Sequence, residues 1–437
     1  MALSLVSSKA RPVPIEHRKN FNHFILDIAW FGVLNGSAIA FIAVYATRLG
    51  ASTFQISLLN ASPAVVNLMF ALPAGRWLQN QPISRATFNS SVIHRWFYLA
   101  WIFLPFFFAP QEQIWLIVLM TVLMSIPGTA LSIGFNGLFA ATVPPEWRAQ
   151  IVGTRNAAYA LTSIVVTLIC GWLLDALPFP LGYQVVFLIG FIGAAMSSLH
   201  LWFVRPVDEH RKPGNGKSLG DWAQPGAMSM WQGLRATVGL RFLMRPRSLN
   251  SHWFNPIKDL HFRKVLVFVF VVHLTLHLAV PLFPIYLVRE MGMSDQVIGL
   301  GNSIFYVALF MASTRLDAAT RRLGNRKTMA LGVIIISLYP AFLSVADGAT
   351  LYLVASIMGG AGWAFAGGAV GNYVLEKTPD GSRPSYLAWY NMSLQAGVLI
   401  GALVAPVLAG WWGLAIGLAF AAATRFFTGL AIWRARD

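Results

Sequence analysis

Charge is what this sequence has least of. Asp, Glu, Lys and Arg make up only 11% of its 437 residues, where a soluble domain averages about 25%. A soluble fold with so little charge would have too little polar surface. Cysteine is nearly missing as well. Cys170 stands alone, which excludes an intramolecular disulfide and a cysteine-based metal site. No Walker motif, GxGxxG fingerprint or HExxH pair occurs, so nothing signals ATP-driven or zinc-hydrolase chemistry. Acids number 16 against 32 bases. The resulting net charge of +16 would suit nucleic acid, but its distribution points elsewhere, and no nucleic-acid partner is expected.

What the sequence has in plenty is apolar residues, 57% of the chain. They fall in runs of the length a helix needs to cross about 30 Å of hydrocarbon. Candidate spans lie at 24–47, 54–78, 92–109, 114–141, 152–174 and 183–204, then at 264–288, 295–314, 328–346, 349–374, 385–410 and 412–433. The expected fold class is therefore an all-α polytopic membrane protein with twelve transmembrane helices. Its organisation reads as a tail (1–23), a six-helix bundle (24–204), a basic central loop (205–263), a second six-helix bundle (264–433) and a short tail (434–437).

Twelve spans place both termini on one side. The odd-numbered loops hold Arg48 and Arg289, and the even-numbered loops and tails hold nearly all other bases. Cytoplasmic loops are the ones enriched in Lys and Arg, so both termini are expected to be cytoplasmic, in a multi-pass protein of the plasma membrane (the inner membrane of a bacterium). Lys9, Arg11, Arg18 and Lys19 precede a full-length apolar segment without a cleavage site, which reads as a cytoplasmic tail. In the central loop, residues 228–244 mix apolar and basic positions at roughly helical spacing. An amphipathic helix on the membrane surface, held by Trp231, and a solvated linker are both open readings.

The two bundles resemble each other. Gly50, Ser52, Ile56, Leu58 and Asn60 match Gly292, Ser294, Ile298, Leu300 and Asn302 at one offset. Pro144, Arg148 and Asn156 match Pro379, Arg383 and Asn391, and Arg85 and Thr87 match Arg326 and Thr328. Each half has an even number of spans, so the repeats insert in the same orientation, related by an axis along the membrane normal.

This 6+6 layout, the long basic central loop and the LGAS…I.LL turn at Leu49–Leu59 resemble the major facilitator superfamily across essentially the whole chain. The family's loop motif, G-x-L-a-D-R-x-G-R-K/R, is degraded between spans two and three. Gly75 and Arg85 remain, but Gln79 and Pro82 replace the acid and the second glycine. The copy at Arg321–Lys327 keeps Gly324 and its bases, with Arg321 in place of the acid. The resemblance associates that acid with a lock on the outward-open state; Asp317 is the available substitute and Arg322 a basic partner. The glycine-proline motif of drug/proton antiporters is missing from span five. Span eleven carries Gly397, Gly401, Pro406 and Gly410, read as close helix packing.

Ionisable residues inside a membrane cost roughly 2.5–3.5 kcal/mol each on insertion scales, so each is a functional candidate. Asp27, with His23 on the same face, reads as a proton or cation site, as a gate, or as a helix-end salt bridge. His273 and His277, four residues apart in span seven, suit a cavity wall and proton coupling; no third metal ligand accompanies them, and no metal or other cofactor is expected. Arg425 is expected to snorkel to the interface, and Arg155 and Arg383 to serve as interfacial anchors. The resemblance puts spans 1, 4, 7 and 10 along the path. The cavity candidates are Asn35, Asn136, His273, His277, Trp363 and Gln395; Asp27, Asp317 and Arg322 are the coupling or gate candidates. The expected function is secondary transport of a small organic solute by alternating access, as a monomer in lipid, with proton coupling open and export favoured over uptake. A non-transporting sensor or assembly factor of the same fold is the alternative, and a membrane enzyme a remote one.

Overall fold

The computed structural model describes residues 15–205, 255–379 and 383–435. The stretch 228–244 and most of the central loop lie outside the described residues.

Among the described residues, twelve helices follow the apolar runs. The first, α1, is built of Ile15–Leu34, a π-helical turn at Asn35–Ile39 and Ala40–Arg48. It is followed by α2 (Thr53–Gln79), α3 (Ile83–Phe107), α4 (Pro110–Thr142), α5 (Pro145–Ala176) and α6 (Leu181–Phe203). In the second half α7 is broken into Leu260–His277, Leu282–Ile285 and a π-helical Tyr286–Glu290. Then come α8 (Asp295–Ser313), α9 (Leu316–Ser344), α10 (Ala349–Glu376), α11 (Arg383–Trp412) and α12 (Leu414–Arg434). Among the described residues eleven helices are apolar and long enough to cross a membrane. The twelfth, α3, falls short because Arg85, Asn89, His94 and Arg95 dilute it. It starts nine residues earlier than its apolar run, since Pro82 occupies the position before the first turn, where a missing N–H costs nothing.

The repeat seen in the sequence reappears in the backbone. Gly50 and Gly292 both take positive φ, +96° and +59°, in the turn before the second helix of each half. Two residues on, Ser52 and Ser294 each accept the N–H of the third residue beyond, capping α2 and α8 alike. Gly324 also takes positive φ and breaks α9 near its start. This accounts for the glycine kept in the second motif copy, because a Cβ at that φ would be strained.

The halves meet through α2 against α11 and α5 against α8. The second of these contacts uses small residues: a Cβ on Gly299 of α8 would lie 2.9 Å from the Thr167 carbonyl oxygen of α5. Within the second half, a Cβ on Gly397 or Gly401 of α11 would come within 2.5 and 2.4 Å of the Phe270 and Leu274 oxygens of α7. Close packing is thus the role of those two glycines. The face where α1 begins and α12 ends is called the termini face below, and the opposite one the far face.

Candidate transport site and far-face gate

At the far face a network of charged and polar groups ties the halves together. Arg48, the last residue of α1, reaches Asp295, the first residue of α8. Its Nη2 donates to Asp295 Oδ1 at 2.8 Å and its Nε to both carboxylate oxygens at 3.0 and 3.1 Å. The same Nη2 donates to the Met293 carbonyl at 2.9 Å. Tyr183 of α6 donates its hydroxyl to Asp295 Oδ2 at 2.8 Å, and Asp175 at the end of α5 accepts the Asp295 N–H at 3.0 Å. Arg289 of α7 crosses the other way, donating to the Ala51 carbonyl at 2.6 Å. The Arg48–Asp295 contact is a fork-to-carboxylate pair, the geometry in which an ion pair is strongest. Asp295 is only 4% exposed. It also begins a helix, where the aligned N–H dipoles favour negative charge.

Beneath this network an apolar seal continues inward. Val44 of α1 packs with Leu278, Leu282 and Tyr286 of α7, and Ala46 and Ile56 pack with Ile285. Two hollows of about 510 and 620 Å³ flank Arg48, one reaching Asp175, Tyr183 and Asp295, the other Val288 and Arg289.

The π-helical turn of α1 supplies a second junction deeper in. A π turn leaves the regular ladder locally, which re-aims side chains and is common at functional sites. Asn35 opens this turn and is buried. Its Nδ2 donates to the Tyr306 hydroxyl of α8 at 2.8 Å and lies 3.4 Å from Ser163 Oγ of α5. Tyr159 of α5 stands edge-on to Tyr306 with ring centroids 6.2 Å apart. The sequence singled out Asn35; the structure joins it to a residue of the opposite half.

The other sequence candidates fall in six places. His273 and His277 sit on α7, each with Nδ1 bonded to the carbonyl four residues earlier, Val269 at 2.8 Å and His273 at 2.9 Å. A carbonyl accepts only, so Nδ1 carries a proton in both rings, and Nε2 is the acceptor of the neutral form. Trp363 and Gln395 are buried in α10 and α11, and Asn136 is half-buried in α4. Asp27 is buried inside the first half. Ser197 Oγ of α6 donates to it at 2.5 Å, Arg155 of α5 lies at 3.4 Å and Arg95 of α3 at 3.9 Å. Asp317 and Arg322 are exposed at the start of α9, where Asp317 pairs with Arg321 at 2.5 Å.

Two arginine expectations are overturned. Arg155 does not anchor at an interface: it is buried, donates to the Phe24 carbonyl at 2.6 Å and places its guanidinium 4.7 Å from the Phe135 ring centroid. Arg425 does not snorkel: it is only 2% exposed and donates to the carbonyls of Ile336, Thr275 and Leu276, each at 3.1 Å. A partner inside the bundle replaces the route to water in both cases. Sequence reasoning also missed the far-face network. Arg48 and Arg289 stood out as the two bases on the sparsely charged side, and that exception to the charge pattern was the available signal.

Comparison with known proteins follows the same lines. A family model described as Major Facilitator Superfamily matches residues 21–269 and 265–437. A point mutant of the nucleoside transporter NupG superimposes with a TM-score of 0.69, at 14% identity over 95% of this chain and 98% of that one. A bacterial homologue of the iron transporter ferroportin in an inward-facing state gives a TM-score of 0.70, at 13% identity over 96% and 99% of the two chains. Multidrug resistance protein 2 of Bacillus subtilis (strain 168) is 25% identical over 155 residues, which is 36% of this chain; the match spans only 38% of that relative's length. With both halves matched by the family model and the twelve-helix fold shared with those solved structures, the chain belongs to the Major Facilitator Superfamily.

Proposed function

We propose that the chain is a secondary transporter that carries a small organic solute by alternating access, with the termini face in the cytoplasm. The bias of Lys and Arg toward that face supports the orientation. The observation that carries the reading is the Arg48–Asp295 bridge between α1 and α8, over an apolar seal, at one end of the junction between the halves. A bridge that belongs to one arrangement of two rigid bundles is the element alternating access needs. In this reading the structure is the state sealed toward the outside, and the solute exchanges with the cytoplasm. Asp317 and Arg322, exposed on the termini face, engage when that face closes.

The working cavity lies around Asn35, between the halves, with Asn136, His273, His277, Trp363 and Gln395 as the further candidates. Amides, imidazoles and aromatic rings suit an uncharged or amphipathic organic molecule rather than a strongly ionic one. Export is the favoured direction, in keeping with the name of the partial relative above. Protons are the candidate coupling ion, with Asp27 and the two histidines of α7 as the groups that would carry them.

The test is a thermal-shift screen of purified protein against sugars, amino acids, nucleosides, lipids and hydrophobic drugs, followed by flux measurements in proteoliposomes. A ligand of the folded state raises its melting temperature. A stabilising class that also moves across the bilayer, and whose effect falls on Asn35→Ala substitution, supports the reading. Stabilisation by no class, from well-folded protein, would overturn it in favour of a sensor or assembly role.

A further inference from the structure

The break in α7 leaves backbone groups to be satisfied. Its first segment ends at His277, and Pro281, four residues on, has no N–H to give to the His277 carbonyl. The Ala279 N–H turns to Leu276 at a long 3.4 Å. Carbonyls freed inside a membrane need a partner from the protein, because no water replaces the lost bonds. Arg425 of α12 is that partner for the two carbonyls just before the break, those of Thr275 and Leu276. One terminal nitrogen, Nη2, bonds Thr275 and Leu276 at the break, and the other, Nη1, bonds Ile336 of α9. Three helices are thereby held by one planar group with five donors in fixed directions. The cation also lies at the C-terminal end of a helical segment, where the backbone dipole favours positive charge.

Beyond the break, the outer segment of α7 carries the second half's share of the far-face seal: Leu282, Ile285 and Tyr286 in the apolar layer and Arg289 in the polar one. We infer that Arg425 is a positioning residue of the transport cycle: by fixing the bend at Thr275–Pro281 it sets the angle of the outer α7 segment and so holds the far-face gate shut. The inference rests on the alternating-access reading and adds to it a control point remote from both gate and cavity. Arg425 touches no group of the gate itself. It acts through the backbone of α7.

The experiment reads the gate directly. Cys170 is replaced by Ser, and spin labels are placed on Cys at Gln111 and Thr350, exposed in the first turns of α4 and α10 at the far face. A second pair at Gln81 and Ala318 reports on the termini face. Arg425→Met in nanodiscs is expected to lower the far-closed population by about threefold or more, as loss of an interaction specific to one state must. Arg425→Lys keeps the charge as a point but not the fork, and falls between; it also serves if the Met variant does not fold. The comparator is Arg95→Met in the first half, expected to lower the melting temperature while leaving the far-face distances as in the parent. Distances in the Arg425 variants that match the parent would overturn the inference, and so would an equal shift in Arg95→Met. The parent alone tests the underlying reading: a far-face distance that stays fixed across all ligand conditions refutes alternating access, whatever Arg425 does.

Discussion

The two halves solve one packing problem with different chemistry. Arg85 and Arg326 align in the repeat, and ten residues further on stand Arg95 and Ile336. In the first half Arg95 of α3 is buried and bonds α6 through Ser198 Oγ at 2.7 Å and the Ala194 carbonyl at 3.2 Å, facing Asp27 of α1. In the second half Ile336 offers only its carbonyl, and the arginine comes from α12 instead. Each half therefore ties its first, third and sixth helices with a buried guanidinium. In the first half the counter-group is a carboxylate. In the second it is the backbone of a broken helix. The difference teaches what a buried arginine requires: acceptors in number, supplied either by a side chain that brings a second buried charge or by a helix that stops short.

Breaking the comparison at its charged side has the largest expected effect. Asp27→Ala removes the carboxylate that faces both Arg95 and Arg155. Two cations are then left buried with one another. Removing one partner of a buried pair costs about 3–5 kcal/mol, and here the remaining charges have the same sign. Arg425→Met is expected to cost less, because it leaves carbonyls unpaired but no charge, at about 1–3 kcal/mol per buried group that finds no new partner. Unfolding midpoints of the two variants in one detergent measure the order. Equal losses would mean that the carbonyls around Arg425 hold it as tightly as Asp27 holds its arginines.

The next effect concerns helix approach. Gly401→Ala puts a methyl 2.4 Å from the Leu274 oxygen, just before the break in α7. Overpacking of this kind costs about 1–3 kcal/mol. Gly193→Ala of α6 is a first-half comparison, with a methyl 2.9 Å from the Leu34 nitrogen and the Trp30 oxygen of α1, just before the π turn. If the bend of α7 is the more adjustable of the two, the Gly401 variant will lose less stability than the Gly193 variant, although its clash is closer. Thermal unfolding of the pair decides.

A smaller effect on stability, and a larger one on state, is expected at the gate. Asp295→Asn keeps the shape but removes the charge that Arg48 grips. Arg48 is partly exposed, so the pair is not fully desolvated and its loss should cost about 1–2 kcal/mol, between the surface and buried limits. That is a change of about five- to thirtyfold in the balance between two states. The far-face label pair reads it as a rise in open distances. The reversed pair, Arg48→Asp with Asp295→Arg, would restore less than half of the shift, because the Tyr183 hydroxyl and the start of α8 remain set for an anion at position 295.

These expectations also mark what the sequence could and could not reveal. The twelve spans, the repeat and the turn glycines were legible because each follows from one local rule: helix length against membrane thickness, or φ against Cβ. Even α3, too polar as a whole for a hydropathy threshold, keeps an apolar run at 92–109 that placed it. The fates of Arg155 and Arg425 were not legible, because snorkelling is decided by what stands opposite a side chain. Phe135 is 20 residues from Arg155 in the chain, and Thr275 is 150 from Arg425. Asn35 was readable as an intramembrane amide, but its bond to Tyr306 spans 271 residues. Arg48 had a visible peculiarity as a base on the sparsely charged side, whereas nothing marked Asp295 as its partner. Pairing them takes the three-dimensional junction of the halves.

The smallest expected effect tests the gate from its opposite end. Asp317 and Arg321 form an i,i+4 pair with side chains 74% and 71% exposed. An exposed pair of this kind is worth about 0.3–0.5 kcal/mol, so Asp317→Asn should hardly move the unfolding midpoint of the far-sealed protein. The same substitution has a second reading if Asp317 joins the halves when the termini face closes. It then weakens a state in which the far gate is open, and the label pair at Gln81 and Ala318 should show fewer closed distances under conditions that favour that state. Placed beside Asp295→Asn, which pushes the balance the other way, it asks whether the two faces compete for one equilibrium. If they do, the double variant lies between the two single variants in its distance distributions, because opposite shifts in a single two-state balance offset one another. If each face opens on its own, the double variant shows both gates loosened at once.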